Sequence, residues 1–208
     1  MGYTTDFGGS FVLDKPLTPE HKAYLNQFCN TARLERDPAK LKDIPDPIRE
    51  AVGLPVGKHG EFFVKGEGYR GQDHTDDSVL GDYNKNLPGK WCQWVPNGDG
   101  TEIEWDGGEK FYKYVEWIEY LIKTFLDPWG YKLNGEVKYA GEDPEDVGTI
   151  IVSDNHVETY NYIERNIKTE EAINEILKRI PDQLPLLMGI NDLLDSKLKK
   201  IFKGDTHK

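Results

Sequence analysis

Sulfur is scarce in this chain: two cysteines and two methionines in 208 residues. Cys29 and Cys92 are too few for a disulfide framework, and their spacing matches no zinc motif. They read as two buried, reduced thiols. Long apolar runs are absent too, and no window reaches the ~18 residues of a membrane span. The opening MGYTTDFGGSFVLD lacks the basic n-region and apolar stretch of a secretory leader. It fits a myristoylation signal poorly, because Asp6 stands where Ser or Thr is wanted. A cytoplasmic protein with no membrane partner is therefore expected. No P-loop, GxGxxG, HExxH or GxSxG occurs, which weighs against the commonest nucleotide-binding and hydrolase classes. Positive charge is also in short supply. Lys+Arg number 26 against 37 Asp+Glu, a formal charge of −11. The two signs balance from Thr169 onward, so residues 1–168 hold the whole acidic excess. Such a body repels nucleic-acid phosphate and anionic lipid, leaving at most a local basic pocket for anions.

What the chain does have is a globular composition, 37% hydrophobic and 12% aromatic, with a mean hydropathy of −0.68. Residues 3–13 read as a short strand or arm broken at Gly8-Gly9. Thr18 caps a helix with Pro19 in its first turn, and Tyr24, Leu25, Phe28, Cys29 and Ala32 line its apolar face. A short helix is expected from Pro47 to Val52, stopped by Gly53, then a strand over 61–65 (EFFVK) and a long polar loop over 66–90. All five tryptophans fall in 91–157. There, 91–95 and 101–105 form a hairpin around Asn97-Gly98-Asp99-Gly100. Asp106 and Glu109 fit a capping box. Phe111, Tyr114, Val115, Ile118, Leu121, Ile122 and Phe125 recur at helical spacing until Asp127-Pro128. Strands follow over 129–139, 149–153 and 156–160.

The expected fold is α+β: an antiparallel sheet braced by that long amphipathic helix, with an N-terminal helix and a C-terminal helical hairpin. Two parts are expected, a core domain over 1–162 and a helical extension over 163–208.

The phrases YTTDFGGSFVLDKPLTPEHKAYL, DYN…PGKWCQWVPNGDGTEIEWDGGEKFYKYVEWIEYLI and FLDPWGYKLNGEVKYAGEDPEDVGTIIVSDNHV carry more than periodicity. Over about residues 1–160 the chain resembles a family of uncharacterised proteins of phages and of bacteria carrying mobile elements. The resemblance implies a setting, a phage-like accessory protein in a bacterial cytoplasm, and brings no catalytic residues with it.

Four groups of residues are candidates for function. Asp73, His74, Asp76 and Asp77 place carboxylates and an imidazole in one loop, the ligand chemistry of a divalent cation, without an EF-hand's spacing. They are the candidate catalytic set, with Asp73, His74 and Asp76 the metal ligands; the plain alternative is a solvated loop. Glu102, Glu104 and Asp106 share one face of a strand opposite Ile103 and Trp105, where like-charge crowding would raise a pKa. Otherwise that face is simply wet. Glu142, Asp143, Glu145 and Asp146 form an acidic turn suited to a basic partner. Trp91 and Trp94, three apart, face opposite sides of one strand, and Trp105 shares a side with one of them. With Tyr83 they are the candidate ligand-stacking aromatics, core packing being the alternative. His59 and His156 read as isolated, and His207 belongs to the tail.

The function expected is binding: a phage-type accessory protein that blocks a host factor, in defence or metabolism, or sequesters a small signalling ligand. No cofactor is expected beyond a divalent metal in the 73–77 loop. The alternatives are a metal-dependent hydrolase acting on a nucleotide and an assembly protein whose 169–203 segment makes homo-oligomers.

Overall fold

The computed structural model describes residues 2–65, 77–162 and 168–172. Met1–Tyr162 form one compact unit, and the fold is that of this unit. Beyond it, residues 168–172 are helical. The remainder of the expected C-terminal hairpin lies outside the described residues.

The chain opens on strand β1 (Thr5–Leu13), which Gly8 and Gly9 do not break. Thr5, Phe11 and Leu13 turn inward while Asp6, Gly8 and Val12 stay exposed, the period of two that a half-buried strand requires. Helix α1 (Pro19–Cys29) starts as its sequence predicts, with Thr18 Oγ1 accepting the His21 N–H at 3.2 Å. It ends at Cys29, and Asp37-Pro38 starts helix α2 (Pro38–Leu41), with the Asp37 carboxylate as cap. Between them lies β2 (Glu35–Arg36). Helix α3 (Pro47–Ala51) follows, capped by Asp46.

Residues 61–65 are not a strand. They pair with no strand among the described residues: the 61–65 backbone runs as a turn and coil, and the Val64 N–H goes to the Asp46 carboxylate at 2.9 Å instead of to a neighbouring strand. The partner of β2 is instead β3 (Val79–Gly81), within the expected loop, and the two form a small antiparallel ribbon.

The hairpin of β4 (Trp94–Pro96) and β5 (Glu102–Trp105) forms around the expected turn, closed by Asn97 and Asp99 accepting from Thr101, but its first strand starts at Trp94 and not at Trp91. The brace differs from expectation at both ends. Asp106 Oδ1 accepts the Gly108 N–H at 2.8 Å in a local turn, and Gly107 has a positive φ, so no capping box forms. Helix α4 (Tyr114–Leu121) begins eight residues later, after Lys113 in a left-handed conformation. It passes at once into a π-helical segment (Ile122–Leu126), in which the Asp127 N–H reaches back to Ile122 O at 2.9 Å. The long helix is thus a short α-helix with a π extension. Its apolar ridge still faces inward: Ile118, Leu121, Ile122 and Phe125 are buried, Tyr114 and Val115 are half-buried, and Phe111 is buried in the stretch before the helix.

Strands β6 (Leu133–Gly141), β7 (Val147–Ser153) and β8 (His156–Asn161) complete one sheet of order β4-β5-β1-β6-β7-β8, antiparallel throughout. Helix α4 touches both edge strands, β4 and β8, and so lies across the inner face. Two ring clusters fill the space beneath it. Phe7 and Phe11 meet Trp94, and Phe7 also meets Trp105, Phe111 and Tyr114. Phe125 meets Tyr24, Phe28, Phe62, Tyr120 and Trp129. Full burial stabilises by ~1.5–3 kcal/mol per large apolar side chain, so these rings dominate the core. Cys29 and Cys92 are buried and free, both directed at Trp94 O.

Candidate functional site

With the helices on one side, the other side of the sheet is left to carry charge. Strand register fixes which residues share it. Ser10, Glu136, Ile151 and Glu158 stand in one row across β1, β6, β7 and β8; Gly8, Lys138, Thr149 and Tyr160 stand in the next. Val12 is paired with Glu102 on one side and Asn134 on the other. Glu104 and Val95 follow on β5 and β4. The charged members of this face are Asp6, Glu102, Glu104, Glu136 and Glu158, against Lys138. Asp6, Glu104, Glu136, Lys138 and Glu158 are exposed. Two of the carboxylates are oriented by neighbours: Ser10 Oγ donates to Glu102 at 2.6 Å and Tyr160 OH to Glu158 at 2.6 Å. His156 lies 3.6 Å from Glu158, and His59 lies 3.4 Å from Glu35, so neither histidine is isolated.

The acidic turn Glu142, Asp143, Glu145 and Asp146 continues the negative surface at the end of β6 and β7, and it also has work inside the molecule. Glu142 accepts the Thr4 N–H at 2.9 Å, and Asp146 accepts from Tyr3 OH at 2.7 Å. Asp143 donates its N–H to that same hydroxyl at 3.2 Å and accepts the Glu145 N–H at 2.9 Å. The turn therefore holds the start of the chain against the sheet. Glu142, Asp143 and Glu145 are exposed, so their remaining lone pairs face solvent.

The aromatic candidates separate. Trp94 is fully buried among Phe7, Phe11 and Phe111, and its indole N–H donates to Tyr114 O at 2.8 Å, which leaves no face for a ligand. Trp105 pairs directly with Trp94 across the hairpin, is half-buried, and donates to Gln93 Oε1 at 3.1 Å. Trp91 precedes β4 and is half-buried; Tyr83 is exposed. The four do not form one stacking platform.

Of the catalytic and metal candidates, Asp73, His74 and Asp76 lie outside the described residues. Asp77 is exposed, and its backbone carbonyl accepts from Lys40 Nζ at 2.7 Å. Among the described residues no group of three or more His, Cys, Asp or Glu side chains is placed to hold a metal ion. In the Glu102–Glu104–Asp106 set, Asp106 has its pKa raised, and the cause is burial of its own carboxyl, not crowding by the two glutamates. Among the described residues no helix is long and apolar enough to cross a membrane.

Sequence reasoning passed over Asp6, Glu136 and Glu158. Their signal was available in the alternation of LNGEVKYAG and HVETYN, but the pairing that gathers them is not local. Comparison with protein-family models, with curated proteins and with solved structures finds no match.

Proposed function

We propose that this protein is an accessory protein of phage type that acts by binding: its acidic sheet face docks on a basic surface of a host protein and blocks it. The observation that carries this reading is the face itself, where Asp6, Glu102, Glu104, Glu136 and Glu158 stand against Lys138 alone and the 142–146 turn adds further carboxylates at its end. An antiparallel sheet can leave one face to water, and a mixed polar face would serve that end. A face almost wholly of one sign raises its own repulsion and is useful where a partner supplies the other sign. The resemblance to phage and mobile-element proteins points to a host component as that partner.

The test is capture from a bacterial lysate on immobilised protein, run beside the double variant Glu104→Lys/Glu136→Lys. The expected result is one stoichiometric, basic host protein, inhibited when bound and lost by the variant. Equal capture by the variant, or no stoichiometric partner, overturns the reading.

A further inference from the structure

Asparagine followed by glycine is a chemically fragile pair. The glycine nitrogen is unhindered, and its attack on the asparagine side-chain carbonyl closes a five-membered imide. The sequence holds the pair twice, at Asn97-Gly98 and Asn134-Gly135. The fold treats the two differently.

Gly135 lies inside β6, with β1 on one side and β7 on the other, so the antiparallel ladder takes its N–H. Asn134 Oδ1 is occupied as well, by the Asp154 N–H at 2.8 Å. Closing an imide here requires a central strand to open first.

Gly98 is placed in the opposite way. It is exposed at the tip of the β4–β5 hairpin, and a Cβ placed on it would meet nothing within 4 Å. Among the described residues its N–H has no hydrogen-bond partner, while its carbonyl takes Lys22 Nζ. The attacking nitrogen is therefore open to solvent base and bound to no ladder. The carbon it attacks is prepared too. Asn97 Oδ1 accepts the Thr101 N–H at 2.9 Å and the Glu102 N–H at 3.1 Å. As Gly98 N adds to Asn97 Cγ, negative charge collects on that oxygen, and two backbone donors already directed at it stabilise the charge. The departing Nδ2 is held by one contact, to Thr101 Oγ1 at 3.2 Å.

We propose that Asn97 is a self-modification site: with water as the co-reactant, the folded protein converts it through a cyclic imide to aspartate and isoaspartate. Gly98 N loses its proton to solvent hydroxide and bonds to Cγ; the Cγ–Nδ2 bond breaks, and ammonia leaves with a proton from water. Water then adds to one of the two imide carbonyls and opens the ring. Opening at one leaves aspartate, and opening at the other runs the main chain through Cβ. The second product lengthens the turn by one atom and disrupts the bond from Gly100 N–H to Asn97 O, 3.1 Å, that closes it. Either product adds a carboxylate to a turn that already holds Asp99, so the β4–β5 hairpin loosens with age. The site does not depend on the docking reading.

The test follows the full chain in mildly alkaline buffer at physiological temperature, folded and, in parallel, in denaturing urea. Proteolytic peptides over residues 97 and 134 are examined by mass spectrometry for the gain that exchange of –NH2 for –OH brings, with fragmentation that separates isoaspartate from aspartate. In urea both pairs should convert at similar rates. In the folded protein Asn97 should match or exceed its rate in urea, while Asn134, which waits for local opening, should slow at least about tenfold. Gly98 has no positive φ and open surroundings, so Gly98→Ala should keep the wild-type melting temperature. Its Cβ crowds the attack and should slow conversion at Asn97 about tenfold or more. A folded-state rate at Asn97 below its rate in urea, or conversion unchanged in Gly98→Ala, overturns the proposal.

Discussion

Gly9 on β1, opposite Val137, and Gly135 on β6, opposite Phe11, have φ of 107° and 134°, in the region that penalises every side chain. A Cβ on Gly9 would lie 2.7 Å from Glu136 O, and one on Gly135 would lie 2.9 Å from Ser10 O, in both cases against backbone. The two central strands can approach only because both positions lack a side chain. Either Gly9→Ala or Gly135→Ala should therefore cost about 1–3 kcal/mol or more, read as a lower urea midpoint. His21 makes a different residue-scale case. It stacks on Trp129 at 4.0 Å, and its Nδ1 lies 2.9 Å from Tyr131 OH. Burial lowers its pKa, with Glu20 pulling weakly the other way. The unfolded chain thus takes up a proton near pH 6.5 that the folded chain accepts only at lower pH. Stability is complete above that range and falls as pH drops through it. Melting temperature followed from about pH 7.5 to about pH 5 should show this loss, and His21→Phe, which retains a ring on Trp129, should flatten it.

At the scale of elements, Phe125 in the π-helical segment is where α1, α4 and the 61–64 stretch meet, in contact with five other rings. Phe125→Ala should cost about 3–5 kcal/mol in chemical denaturation, the range for emptying a well-packed aromatic site. That this ridge would face the core was legible in the sequence, because spacing of apolar residues reports which side of a helix is buried. The hydrogen-bond pattern was not: Ile122, Phe125 and Leu126 keep the same face whether the turn closes on the fourth or the fifth residue. The start of the brace was misread for a similar reason. Asp106 and Glu109 have the spacing of a capping box, but Gly107 and Gly108 favour a turn that satisfies Asp106 locally. Gly8-Gly9 looked like a break, yet it marks the close approach of two strands. Where the chemistry was local, as at Thr18-Pro19 or the Asn97 turn, sequence and structure agree.

For the molecule as a whole, the decisive events are long-range pairings, and these are what the sequence conceals. Nothing near Thr5 says that β1 will enter between β5 and β6, so nothing announces that Asp6, Glu102, Glu136 and Glu158 will share a face. The 142–146 acids were legible because they are contiguous. The burial of Arg33 was not, because a lone arginine in TARLERD has the look of a surface residue. The acidic face is exposed, so reversing its charges should barely affect folding: Glu104→Lys/Glu136→Lys should keep the wild-type stability to within about 0.5 kcal/mol. Binding should respond strongly. The most direct measurement is the dissociation constant of the captured host partner for wild type and this double variant, from roughly 50 mM to roughly 300 mM salt, where screening of exposed charge grows. The account predicts that wild-type affinity weakens at least about tenfold over that range and that the variant binds poorly throughout. An affinity indifferent to salt, or retained by the variant, would contradict it.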